Sequence, residues 1–156
     1  MIEVLGDSVK LHKWPMPMTS NHLYIVSRGR LIKSNEARKY SNACLQWGMQ
    51  NRGIIDKLRE ILKDKTLRVD CCFVFHKSKL ITKKNTLKKI DYSNRLKQLH
   101  DELSKMIGVD DSHFISGYCC KKISEIDESS VYITISEAKL EWAYESKQTH
   151  VSVVVE

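Results

Sequence analysis

The densest supply of reactive side chains lies between Lys88 and Phe114, KKIDYSNRLKQLHDELSKMIGVDDSHF. At 100° per residue, a helix from Tyr92 to Ile107 gathers Tyr92, Leu96, Leu99, Leu103, Met106 and Ile107 on one face. Asn94, Lys97, Asp101 and Lys105 fall on the opposite face. Gly108 stops the helix. Asp91 stands at its start, where free N–H groups and the helix dipole favour an acid. Asp110 and Asp111 follow its end. Carboxylates are hard oxygen donors, and Mg²⁺ keeps several waters and needs only one or two of them beside a substrate phosphate. A metal held this way activates water and offsets charge on a phosphodiester. A nearby lysine adds to that stabilisation. Each residue also has a structural explanation: Asp91 as an N-cap, Lys97 and Asp101 as a solvated i,i+4 pair, Asp110-Asp111 as a turn.

The charge balance points the same way. The chain has 156 residues, a formal net charge of +7 and 42% hydrophobic positions, which suits one globular domain whose first candidate partner is a polyanion. The stretch His76 to Lys89, HKSKLITKKNTLKK, holds six lysines and no acid, and reads as an exposed basic loop or hairpin arm. No apolar run approaches ~20 residues, so no membrane span is expected. The opening MIEVLGDSVK lacks signal-peptide order, and a cytoplasmic protein is the expectation. The five cysteines include two adjacent pairs, Cys71-Cys72 and Cys119-Cys120, with no CxxC spacing, and read as reduced core residues. The histidines show no HxH or HExxH spacing, so zinc is not expected. Of these only His113, close to Asp111, bears watching, and it too fits a strand start.

The elements that must position the acids are legible in outline. Val9 to Trp14 alternates and reads as a strand, ended by Pro15 and Pro17. Leu23 to Val26 and Leu31 to Lys33 read as short strands around a turn at Ser27-Arg28-Gly29-Arg30. Ser34 or Asn35 caps a helix with the inner stripe Ala37, Tyr40, Cys44 and Trp47. A second helix after Gly53 carries Ile54, Ile55, Leu58, Ile61 and Leu62. Leu67 to Phe75 is the clearest strand, its apolar row alternating with Arg68, Asp70, Cys72 and Val74, and Asp70 reads as structural. His113 to Ile123 and Val131 to Ser136 read as two more strands joined by the polar turn Ser124 to Ser130. The tail from Ala138 is ambiguous, with a helical turn near Leu140 to Tyr144 and a strand at Val151 to Val155 as one option. Trp14, Trp47 and Trp142 are expected in the core, whereas Tyr24 is better placed to touch DNA. The sum is an α+β domain, a small mixed sheet against two to three helices.

Several of these pieces, in this order, resemble the RusA family of Holliday-junction resolvases. The family has a proline-containing turn, a Ser-Asn pair and an aromatic, matched by Pro15, Pro17, Ser20, Asn21 and Tyr24. An arm and a Ser-x-Glu helix entry with a later Tyr follow, matched by Arg28-Gly29-Arg30, Ser34, Glu36 and Tyr40. The main motif, Asp-x-Asp-Asn with a Lys, a further Asp, a Gly and an Asp-Asp pair, falls on Asp91, Ser93, Asn94, Lys97, Asp101, Gly108, Asp110 and Asp111. The resemblance covers residues 13 to 136. Ser93 departs from the pattern by replacing an acid, which removes a carboxylate from the site.

The resemblance implies a homodimeric, Mg²⁺-dependent endonuclease acting on branched DNA, with residues 1–137 as the RusA-like domain and 138–156 as an extension. Asp91, Lys97 and Asp111 are the expected catalytic residues, and Asp91, Asp110, Asp111 and Asp101 the expected metal ligands or their neighbours. The expected DNA contacts are Asn21, Tyr24, Arg28, Arg30, Lys83, Lys84, Lys88, Lys89 and Asn94. Because of Ser93, a junction-binding protein that cuts poorly is the alternative, and a basic binding module without metal is a further one. A straight helix of sixteen residues rises roughly 24 Å. Asp91 and Asp111 of one chain therefore stand too far apart to share a metal, and a site shared between two subunits is expected.

Overall fold

The computed structural model describes residues 1–18, 24–90, 93–126 and 128–140. The frame is a six-stranded mixed sheet in the order β1-β2-β8-β5, with β6 and β7 both on the far edge of β5. The strands are β1 (Ile2–Leu5), β2 (Ser8–Pro15), β5 (Leu67–His76), β6 (Phe114–Ser116), β7 (Cys119–Ser124) and β8 (Ser130–Glu137). A separate ribbon pairs β3 (Tyr24–Ser27) with β4 (Arg30–Lys33). The helices are α1 (Asn35–Gln50), α2 (Arg52–Leu62), the single turn α3 (Lys77–Leu80) and α4 (Ser93–Ile107). The α+β expectation holds. No described helix is long and apolar enough to cross a membrane.

The alternation read in β5 is what the structure shows. Leu67, Val69, Cys71, Phe73 and Phe75 are buried, while the residues between them lie on the open face. Strand β8 pairs antiparallel along almost all of β5 and adds Val131, Ile133 and Ile135 to the same core. On α1, Ala37, Tyr40, Cys44 and Trp47 face inward as expected, and Ser34 is the cap, its Oγ accepting the Ala37 N–H at 3.1 Å. On α2 the inner stripe is narrower than expected. Ile55, Leu58 and Leu62 are buried, but Ile54 and Ile61 sit one step round the helix and remain exposed.

Three departures from the sequence expectations have plain causes. The strand β1 forms a hairpin with β2 that the alternation rule does not pick out, because one of its residues is half-buried and three are exposed. Strand β2 does not alternate to its end. The register slips between Leu11, opposite Ile133, and Trp14, opposite Val131, with Lys13 at φ 55°. That extra residue turns both Leu11 and Trp14 into the core, which a regular strand could not do. Trp14 then donates its indole N–H to the Tyr40 hydroxyl at 3.0 Å, and Trp47 donates to the His12 carbonyl at 3.2 Å, fastening α1 to the sheet.

The third departure is the stretch expected as one strand from His113 to Ile123. It is a single 3-10 turn, Asp111–His113, followed by two strands interrupted at Gly117-Tyr118. At Gly117 a Cβ would lie 2.2 Å from the Val69 carbonyl oxygen, so only glycine lets the backbones approach this closely. The freed Tyr118 N–H is accepted by Asp70 at 2.7 Å, and Arg68 holds that carboxylate at 3.0 and 3.1 Å. Asp70 is structural, as its position in the strand suggested. Both β6 and β7 run parallel to β5. A parallel pair needs a long crossover, and α4 lies within it.

Candidate nuclease site on the crossover helix

The crossover helix α4 carries most of the candidate residues. It is an unbroken α-helix of 15 residues, a span of about 22 Å. Asp91 precedes it in sequence and lies outside the described residues, as do Ser20, Asn21 and the side chain of Asn94. Ser93 is its first residue and is exposed. Lys97 is exposed on the outer face, and Asp101 is half-buried one turn further on.

At the other end Gly108, at φ 71°, reverses the chain. Asp110 caps the 3-10 turn by accepting the Ser112 N–H at 3.0 Å. Hydrogen bonds from Ser112 hold its carboxyl below the ordinary range. Asp111 is exposed beside it. His100, a residue the sequence reading did not single out, links these acids. Burial lowers its imidazole pKa, while the charges of Asp111 and Asp101 both pull it back up. Past the turn at Gly108, Asp111 thus lies within electrostatic reach of His100. The ring stands edge-on to Phe114 at 5.2 Å, and its Nε2 is buried with no hydrogen-bond partner among the described residues. His113 is structural, its Nδ1 lying 3.1 Å from the Lys65 carbonyl.

The donors fit a hard cation in kind, since Asp101, Asp110 and Asp111 offer carboxylate oxygen. Among the described residues, however, no three metal-binding side chains gather.

A second group on α4 was invisible to a two-face reading of the helix. Arg95, Gln98 and Glu102, at i, i+3 and i+7, form a polar stripe that is partly or wholly buried. Arg95 donates to the Pro17 carbonyl and lies over the Phe75 ring, 5.7 Å from its centre. The Gln98 side-chain oxygen accepts the Met18 N–H at 3.1 Å. Glu102 accepts from Ser41 at 2.8 Å, from Lys105 at 2.8 Å and from Lys33 at 3.4 Å. Burial alone would push the Glu102 carboxyl up, but the bonds from Lys105 and Ser41 and the charges of Lys105 and Lys33 outweigh it and hold the pKa low. The stripe therefore ties the segment from Met18 to Lys33 to α4 at both its entry and its exit. Tyr24, at the root of the ribbon, lines a narrow crevice with Asp101, Gln98 and Lys33. On the sheet side, Lys121 donates to the Ile90 carbonyl at 2.8 Å, fixing the chain immediately before Asp91.

The lysine-rich stretch forms a small hairpin closed by a bridge between Ile81 and Leu87. Lys83, Lys84 and Lys89 are exposed. Lys88 is exposed too, but its ammonium already donates to the Ser78 carbonyl at 2.6 Å.

The described residues form a mixed sheet with a crossover helix followed by two acids, on a basic chain with two cationic hairpins. The family model described as endodeoxyribonuclease RusA matches residues 15–136, and the chain belongs to that nuclease family. No individual curated protein matches the chain.

Proposed function

We propose that the protein is a Mg²⁺-dependent endonuclease that nicks four-way DNA junctions as a homodimer, each site drawing residues from both subunits. The observation that supports this reading is the unbroken α4, which Asp91 precedes at one end and Asp110 and Asp111 follow at the other, past Gly108. Two antiparallel copies about a two-fold axis would bring Asp91 of one subunit to Asp110 and Asp111 of the other, twice over. A four-way junction has matching two-fold symmetry in its backbone. Selection would rest on shape and phosphate positions, since base edges are not needed for it.

A bound Mg²⁺ would supply charge neutralisation at the scissile phosphate and an acidified water. Asp91 and Asp111 would hold it, with Asp110 and Asp101 as neighbours. Lys97, exposed on the outer face of α4, would stabilise the negative charge of the transition state. The Ser112 bonds that acidify Asp110 keep that carboxylate ionised. Lys83, Lys84 and Lys89 would contact phosphates, with Arg28 and Arg30 doing so from the other hairpin. Ser93 favours a second reading, a protein that binds junctions but cuts weakly, because the position loses an acid. Restoring it with Ser93→Asp should lower the Mg²⁺ concentration needed for cleavage.

Subunit mixing tests the proposal. Asp91→Asn and Asp111→Asn should each abolish nicking of four-way junctions while binding survives. After subunit exchange, heterodimers carry one site with both lesions and one with neither, and nicking should reappear. Mixtures that stay inactive after verified exchange refute the shared site, and a wild-type rate for either single variant refutes the ligand assignment.

A further inference from the structure

The β3–β4 ribbon is an arm with an unusual surface. It pairs with no strand of the main sheet. Tyr24 faces Lys33 and Val26 faces Leu31 across one face, while Ile25 faces Ile32 across the other. Tyr24 and Ile25 are 49% exposed, Val26 75% and Leu31 69%, so the apolar character increases outward on the first face. The tip is the two-residue turn Arg28-Gly29, with φ of 50° and 74°. Asn is the usual residue at the first of these positions. An arginine held at positive φ costs about 1–2 kcal/mol, so its retention calls for a use. The segment from Tyr24 to Lys33 contains no acid. Arg28 and Arg30 have no ion-pair partner among the described residues.

An isolated two-stranded hairpin is marginal in water, yet here the root is locked. Lys33 is bound to Glu102, and the chain entering the arm is held by Arg95 and Gln98. The arm is tied to α4 at its root through Lys33, and its apolar end is exposed. The charges beside that end select the occupant. Exposed aliphatic side chains flanked by arginines match a nucleic acid whose bases have come apart, with phosphates on either side; such apolar wedges part base steps in other DNA-binding architectures.

We propose that Val26 and Leu31 form a wedge that packs against an unstacked base at the branch point of the DNA, while Arg28 and Arg30 hold the flanking phosphates. The inference rests on the nuclease reading and adds to it the contact that would distinguish a branch from a plain duplex. The placement suits it. Val26 lies two residues beyond Tyr24, about 7 Å along the strand, and Tyr24 borders the same crevice as Asp101.

The test uses a four-way junction carrying 2-aminopurine at the branch point, with Mg²⁺ omitted so that no strand is cut. The wild type should raise the fluorescence on binding. A Val26→Thr, Leu31→Thr double variant puts β-branched residues suited to a strand at both positions and removes most of the apolar surface. It should lose the fluorescence rise and bind the junction on the order of tenfold more weakly. Its affinity for linear duplex and its mass in solution should be unchanged. Val26→Ile with Leu31→Met should behave as wild type. Wild-type junction affinity in the threonine variant overturns the wedge. A drop in solution mass overturns it too, by showing that the pair packs on a second copy of the chain. A wild type that cuts junctions without the fluorescence rise refutes the wedge alone, whereas one that binds no branched DNA refutes the nuclease reading as well.

Discussion

Two cationic hairpins project from this molecule, and they are secured in opposite ways. The hairpin after β5 closes on itself. Thr82 donates its N–H to the Thr86 carbonyl at 2.8 Å, the two threonine hydroxyls meet at 2.7 Å, and Lys88 reaches back to Ser78. All those partners lie within a dozen residues. The β3–β4 arm is instead held by Arg95, Gln98 and Glu102, far away in sequence, on the helix that carries the candidate acids. The first hairpin presents flexible lysines, point charges with no preferred geometry. The second presents arginines and aliphatic side chains at a fixed place beside Asp101. The difference separates two tasks, general attraction to phosphate and placement of the DNA relative to the acids.

Removing the clamp should have the largest effect. Glu102→Ala should cost about 2 kcal/mol of stability, because it empties a buried site and takes away the acceptor of the Ser41 hydroxyl. The figure is kept modest because Lys33 and Lys105 both reach water. Denaturant midpoints should show the loss, and junction affinity should fall further than duplex affinity. A variant as stable as wild type would mean that the arm needs no clamp. The other hairpin should respond in the reverse sense. Lys83→Ala with Lys84→Ala should leave stability within about 0.5 kcal/mol. It should flatten the slope of log affinity against log salt by up to about two units, at about 0.9 per phosphate contact. An unaltered slope would show that these lysines touch no phosphate.

A smaller effect is expected from pH. The Glu102 carboxyl titrates below its ordinary value of 4.5, so its stabilisation is complete above that value and disappears as pH falls through the folded-state pKa. Glu102→Gln cannot titrate. The stability gap between wild type and this variant should therefore narrow below about pH 4.5, as followed by thermal unfolding. A gap constant down to strongly acidic pH would remove the ion pair from the account. The smallest effect should come from Arg28→Asn. Asparagine suits the turn, so the hairpin should gain up to about 1 kcal/mol while DNA affinity declines. Loss of stability would show that the Arg28 side chain supports the fold.

Much of the frame was legible in the sequence because period and burial coincide there. The β5 alternation and the α1 stripe Ala37, Tyr40, Cys44, Trp47 each belong to an element with one dry face. The bulge that reorients Trp14 was hidden because the slip depends on β8, more than a hundred residues away. The break at Gly117 was hidden because it depends on how closely β5 approaches. The α4 stripe failed for a different reason. Sorting residues into apolar and polar faces leaves Arg95, Gln98 and Glu102 at the margins, and their partners at Pro17, Met18 and Lys33 are tertiary neighbours. His100 escaped for the same cause, since only the reversal at Gly108 brings Asp111 to it. The acids themselves were visible as types and spacing, but which of them meet is a tertiary matter that spacing along one helix does not fix.

The strand order also governs how the molecule can be made. Strand β8 is the last described strand, yet it lies between β2 and β5, which do not pair with each other. Until residue 137 has left the ribosome, the two halves of the sheet have no strand between them, and Val9, Leu11, Val69 and Phe73 lack their β8 neighbours. At about 5–20 residues per second of synthesis, that interval lasts seconds, long enough for exposed strand edges to find other chains. A chain lacking β8 would carry α4 on an unfinished sheet, so the frame that positions the candidate acids is complete only once β8 has joined it.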